Sequence, residues 1–351
     1  STPLYSSAAS DVYKRQVEIF SGLVALNTDL ELVPDIAESW DISGMGEVYT
    51  FRIRDDVTFH NGRKVTAADF KWSLERAASP KLASHLAETY LNDIVGATEY
   101  IDGEADSIKG ITVIDDKTLQ ITVDAPKAYF LAKLTYPTAY VLDRETVEGG
   151  GRNWWVTDPV GTGPFKMSEY SIGERITLER FGGYYRDPQP QLDTIQLNLA
   201  GGQAMAMYEN DEIDVTGVGL FDLERVLDPK EPLNKELTVA PPGFSVSYIG
   251  MNVAQPPFDD VNFRRALNHA IDKELIAKEV LAELVKPAYS ILPPGFPGYT
   301  PEIKGLTFDP EKAREYLEAS KYSDVESRPR IVVTVPGTCL LYTSPSPRDR
   351  G

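Results

Sequence analysis

Polar and apolar residues alternate through 47–54 (EVYTFRIR), which predicts a strand burying Tyr49, Phe51 and Ile53 on one face. The run 57–60 then meets Asn61-Gly62, a pair that marks a tight turn. Thr66 stands where a helix cap belongs, with Asp69 in the first turn of a helix over 67–77. Phe70, Leu74 and Ala77 share one side of it. Hairpins are predicted for 111–115 with 118–123, about Asp116-Lys117, and for 163–170 with 174–180. Further strands are expected at 195–199, 213–215, 237–240, 245–251 and 330–335, and further helices at 82–91, 129–134, 203–210, 261–272, 273–284 and 310–319. Residues 32–40 read as a short helix, and 18–24 as an apolar segment closed by the turn Asn27-Thr28-Asp29. In 261–272 the apolar stripe is Phe263, Ala266, Leu267 and Ala270, with Asp259 or Asp260 as cap. Asp309 caps the 310–319 helix, with Pro310 at its first position. Strands and helices mix from end to end without a repeat. The class is therefore α/β or α+β with hairpins, not a solenoid or bundle.

Two stretches break this pattern. Residues 1–16 (STPLYSSAASDVYKRQ) and 339–351 (CLLYTSPSPRDRG) have neither periodicity. Both read as translated sequencing-adapter sequence, of the kind found at the ends of metagenomic reading frames, and are set aside from the fold. Cys339, the one cysteine, lies in the second stretch. No intrachain disulfide and no cysteine metal site are expected. The 351 residues are 42% hydrophobic and 25% charged, enough for two or three structural units. A net charge of −18 repels nucleic acid and anionic lipid, so both are set aside as partners. No apolar run reaches membrane-spanning length.

Catalytic signatures are missing. The sequence has no G-x-S-x-G, H-E-x-x-H, C-x-x-C, EF-hand loop or Walker loop. Gly161-Thr162-Gly163-Pro164 is glycine-rich, but Pro164 removes a backbone donor that a phosphate cradle needs. His60, His85 and His269 are far apart, and His60 and His269 read as surface or satisfied histidines. No enzyme activity, metal or cofactor is expected.

Seven strings, in order, carry a family resemblance: IFSGLVALN (19–27), LVPDIAESWDIS (32–43), YTFRIRDDVTFHNGRKVTAADFKWSLER (49–76), DPVGTGPFKMSEY (158–170), ITLERFGGYYRD (176–187), NDEIDVTG (210–217) and MNVAQPPFDDVNFRRALNHAIDKELI (251–276). Together they resemble the bacterial extracellular solute-binding proteins of family 5, the peptide, dipeptide and nickel binders, over nearly all of 17–338. The resemblance implies a periplasmic-binding-protein-like α/β fold of type II, in the large three-domain cluster. Residues 17–31 and 156–245 would form a discontinuous first lobe and 32–155 the additional domain. Residues 246–338 would form part of a second, incomplete lobe beyond a hinge near 247–251.

The implied function is capture of a peptide or similar small solute by hinge closure, for delivery to an ABC permease in the inner membrane. The protein would be a monomer, periplasmic or extracellular and lipid-anchored, its signal sequence absent from this stretch. The resemblance places the ligand cleft near Ser21 and Gly22, Ser84 and His85, Thr162 and Gly163, and Tyr248, Gly250 and Asn252, with Tyr140 and Trp154-Trp155 as aromatic wall candidates. Each also has a structural reading: Ser21 as a turn serine, His85 as a surface helix residue, Thr162-Gly163 as a turn, the aromatics as core. Ser21 and Gly250 stand where some oligopeptide binders carry carboxylates, which argues against a preference for basic peptides. A hydrolase or lyase, or a ligand sensor on the same fold, are the alternative functions.

Overall fold

A computed structural model describes residues 16–239, 245–296, 298–326 and 328–333. The terminal stretches set aside above lie outside these residues, Gln16 excepted, as do Cys339, Pro241-Pro242-Gly243 and the end of the 330–335 segment. The chain divides between Gly201 and Gly202 into two units.

The first unit is mixed α/β. Strands β1 (Val24–Leu26) and β2 (Leu32–Pro34) pair antiparallel. Strands β3 (Ala37–Ser43), β4 (Val48–Ile53), β5 (Ile111–Asp115) and β6 (Thr118–Thr122) form an antiparallel sheet in the order β3-β4-β6-β5. The alternation at 47–54 behaves as predicted: Tyr49, Phe51 and Ile53 are all buried, with Phe51 opposite Leu119. The helix Ala67–Ala78 packs on β5 and β6. Its start is fixed by Asp69, whose Oδ2 accepts from both the backbone N–H and the hydroxyl of Thr66 at 2.8 Å. Phe70 and Leu74 are fully buried beneath it. Arg63 ties this helix start to the next layer, donating to Asp69 at 2.9 Å and to the buried Asp143 at 2.7 Å. A second sheet, β7 (Phe165–Ser171), β8 (Arg175–Arg180) and β9 (Thr194–Asn198), is a plain meander.

Two apolar clusters fill this unit. One gathers Leu23, Val24, Phe51, Phe59, Phe70, Leu74 and Phe130 between sheet and helices. The other gathers Ile19, Phe20, Phe165, Ile176 and Leu178 on the meander. The short segment 19–24 contributes to both.

The second unit is helical. Asp260, not Asp259, caps Val261–Ala270, accepting from the N–H groups of Asn262 (2.7 Å) and Phe263 (3.3 Å). Asp309 caps Pro310–Glu318 through Lys312 N–H at 3.0 Å, and the two helices pack together. Of the expected stripe, Phe263 and Ala266 are buried, whereas Ala270 is exposed and lines, with Leu267, Phe308 and Leu317, a cavity of about 450 Å³. His269 is buried, its Nδ1 lies 2.7 Å from the Thr307 carbonyl oxygen, and its ring stacks on Tyr316.

Several expectations are corrected. Residues 32–40 are not a helix but β2 and most of β3, because Pro34 interrupts a helical run and Ala37–Ser43 finds a partner edge in β4. No strand forms at 213–215, at 237–239, at 245–251 or at 330–333. Val215, Val239, Tyr248 and Ile249 are strongly exposed, and alternation without a neighbouring edge does not make a strand. The helix expected from 82 begins at His85, because Ala83 turns to a φ of 49° and Ser84 caps. The helix expected over 273–284 runs Lys273–Leu275, continues as one π turn over Ile276–Val280, and ends before Ala282 and Glu283, both at positive φ.

Candidate functional site

In the first unit three distant stretches converge on residues 18–23. The Ile19 carbonyl accepts from Gly163 N–H at 2.8 Å and that of Ser21 from Val141 N–H at 3.0 Å. The carbonyls of Gly22 and Leu23 accept from Ile36 N–H (3.1 Å) and Ala37 N–H (3.0 Å). Glycine is needed where these backbones cross. A Cβ at Gly161 would sit 1.9 Å from the Ile19 carbonyl oxygen, and one at Gly163 2.3 Å from that of Glu18. At Gly22 it would press on the Tyr140 ring at 3.0 Å. Phe20 meets Trp154 edge-on at 6.0 Å, and the Arg76 guanidinium lies 5.6 Å over the same indole.

Ser21, Gly22, Tyr140, Thr162, Gly163 and Trp154 are thus brought together. Ser21 is buried, and Thr162 is completely buried with its Oγ1 lacking a hydrogen-bond partner. Ser84 caps the helix His85–Leu91 by accepting from Ala87 N–H at 3.4 Å, and His85 stands exposed at that helix start. This helix connects toward the cluster through Tyr90, which stacks on Tyr136 at 4.0 Å just before the turn Pro137–Ala139 that leads into Tyr140. Trp155 is exposed. In the second unit Tyr248 and Gly250 are exposed, and Asn252 Oδ1 accepts from Ala254 N–H at 3.1 Å.

Three residues outside the expected set brace this cluster. His60 follows Phe59 into the Asn61-Gly62 turn, where Gly62 has a φ of +87°. Its Nδ1 accepts from Gly161 N–H at 3.3 Å, so the neutral ring carries its proton on Nε2, which donates to the Gly163 carbonyl at 3.0 Å. Burial depresses its pKa to about 4. Asp35 is buried and accepts from the Tyr185 hydroxyl at 2.6 Å, with Arg186 at 3.5 Å. Burial raises the Asp35 pKa against the pull of Tyr185 and Arg186. Burial and the Asp35 charge push Tyr184 up to about 12 and raise Tyr185 well above its ordinary value. Local sequence gives one clue to His60, the F-H-N-G turn, and none to Asp35 or Tyr185, which lie 150 residues apart.

Chemically the cluster offers backbone carbonyls, hydroxyls and aromatic faces held in place. Among the described residues no group of three or more His, Cys, Asp or Glu gathers to hold a metal. No helix of the described residues is long and apolar enough to cross a membrane.

The pattern of the family described as "Bacterial extracellular solute-binding proteins, family 5 Middle" matches residues 31–347. The dipeptide-binding protein of Escherichia coli K12 is 30% identical over 329 residues, covering 90% of this chain and 58% of that protein. A glutathione-binding protein of Pectobacterium atrosepticum is 30% identical, covering 86% and 55%. Among solved structures, the murein tripeptide-binding protein of Escherichia coli superposes with a TM-score of 0.77 at 27% identity, covering 87% of this chain and 61% of that one. A periplasmic oligopeptide-binding protein from Borrelia burgdorferi gives 0.76 at 29%, covering 90% and 63%. The chain therefore spans little more than half the length of the curated relatives it matches.

Proposed function

This chain belongs to the bacterial extracellular solute-binding proteins of family 5, and from that premise we propose that it captures a peptide or a similar small solute, unaltered, for an ABC permease. The observation that carries this reading is the match across 31–347, with relatives named for dipeptides, glutathione, murein tripeptide and oligopeptides. Those solutes share a peptide backbone. Backbone hydrogen bonding gives affinity without strict side-chain choice, and bridging water tolerates variety in the pockets.

We assign Ser21, Gly22, Thr162 and Gly163 to the frame that holds the solute's surroundings, because they are buried or crossed closely by backbone. Tyr140, Ser84, His85, Tyr248, Gly250 and Asn252 are the residues we assign to contact, since they retain exposure or lead directly to exposed positions. Residues 17–31 with 156–245 form the first lobe on this reading, an assignment supported by the packing of Ile19 and Phe20 on Phe165, Ile176 and Leu178. Residues 32–155 are the additional domain, supported by the β3-β4-β6-β5 sheet with its own helices. Residues 246–338 belong to the second lobe. Closure of the lobes about a hinge buries the solute. The protein acts outside the inner membrane, as a monomer.

Calorimetric titration of the protein with its second lobe complete, using dialanine, trialanine and glutathione, tests the proposal; residues 17–338 alone are expected to bind weakly or not at all. Saturable heat with micromolar dissociation constants, about −8 kcal/mol, and intact peptide recovered by mass spectrometry are expected. Cleaved peptide on recovery, or no heat from any of the three at millimolar concentration, would overturn it.

A further inference from the structure

His60 couples a turn on the surface of one stretch to the crossing of two others. Its ring is an acceptor on one side, from Gly161 N–H, and a donor on the other, to the Gly163 carbonyl. The backbone N–H of His60 also donates to the Gly161 carbonyl at 2.8 Å. The same turn holds residue 19 through Gly163 N–H and carries the unpartnered Thr162 hydroxyl. Phe181 packs edge-on against the ring at 4.8 Å.

We propose that His60 is a proton-released clasp on the Gly161–Thr162–Gly163 turn. One solvent proton taken up on Nδ1 sets two donors, the new N–H and that of Gly161, against each other. The Gly161 amide loses its acceptor, the turn opens, and its hold on residues 18–23 loosens. Burial favours the neutral ring, so the clasp stays shut until acid pH. The groups around it are few. Lys166, from β7, faces the ring and disfavours its charge. Arg63, from the same turn, is committed to Asp69 and Asp143, and Asn61 donates to Asp143 at 3.3 Å. Glu18, whose backbone crowds Gly163, also titrates upward of its usual range, as does Asp35 on the other side of residues 18–23.

Amide exchange by NMR on the full chain between pH 6.5 and 3.5, corrected for intrinsic rates, is the test. Protection at Gly161 is expected to fall at least tenfold with a midpoint near pH 4, and His60→Gln is expected to abolish that pH dependence. An unchanged pH profile in His60→Gln overturns the clasp, as does loss of the transition in Glu18→Gln. Should His60→Gln fail to fold, the His60 ring proton of the unmodified chain is titrated directly: a midpoint near 4 supports the clasp and one near 6.5 overturns it. That the opened turn also weakens its grip on a bound solute rests on the proposed binding role. A turn that opens in acid while peptide affinity holds steady would remove the turn from that role and leave the clasp standing.

Discussion

The two units of this chain enclose their apolar residues to different degrees. In the first, Phe51, Phe59, Phe70 and Phe130 are each 0% exposed, enclosed by sheet, helices and long-range backbone pairing. In the second, Phe221 is 93% exposed, and Val215, Val239, Tyr248 and Ile291 stand largely in solvent. Its described residues form helices and turns but no strand, and its best-packed pair of helices leaves an open apolar cavity. The large aromatic and aliphatic side chains are mostly enclosed in the first unit and more often bare in the second, where Phe263, Leu223 and Val226 are buried all the same. What differs is whether non-local strand edges close over them, since a helix can bury one stripe only against something else.

Substitutions can break or sharpen this contrast. The largest effect is expected from Gly161→Ala, whose methyl would collide with the Ile19 carbonyl. A loss of roughly 5 kcal/mol, enough to abolish the first unit's cooperative urea transition, is expected. A wild-type-like midpoint would mean that the backbone crossing is not what closes this unit. Phe51→Ala should cost about 3–5 kcal/mol in the same titration, as a fully buried aromatic does.

Acid gives the next effect. The folded-state pKa of His60 is about 4 against an ordinary 6.5. The unfolded chain therefore takes up the proton first, so stability is complete above 6.5 and falls as pH drops toward 4. The loss is about 3 kcal/mol at most. Denaturation midpoints of the first unit, compared between the unmodified chain and His60→Gln across that window, measure it. The smallest effect is expected in the second unit: Phe221→Ser should change stability by no more than about 0.5 kcal/mol. A loss above about 2 kcal/mol would show that this ring is covered after all and would erase the contrast between the units.

Sequence pattern was informative where a segment's own residues decide its structure. The alternation of Tyr49, Phe51 and Ile53, the Asn61-Gly62 turn, the Thr66–Asp69 helix start and the Asp309-Pro310 cap all appear as expected. It misled where a partner decides. Residues 32–40 space Leu32, Val33, Ile36, Ala37 and Trp40 like a helix, yet pairing of Ala37–Ser43 with β4 makes a strand. Residues 245–251 alternate like a strand, yet form none without an edge. The candidate cluster was half legible. Gly22, Thr162 and Gly163 carried the family's text, but the braces from His60, Asp35 and Tyr185 depend on contacts 101 to 150 residues apart. No local spacing encodes those.

The stitch formed by residues 19–24 also has a kinetic meaning. Its hydrogen-bond partners and apolar neighbours include Ile36, Val141, Gly163, Phe165 and Leu178. This stretch must therefore wait, solvated, until the roughly 160 residues that separate it from Leu178 have followed before it can be sewn in. The loop that this closes is long, and the entropy of closing it comes due before the contacts reward it. The first unit should accordingly reach its final packing late, as one of the slower steps of its assembly, with residues 19–24 exposed to proteases and chaperones until then.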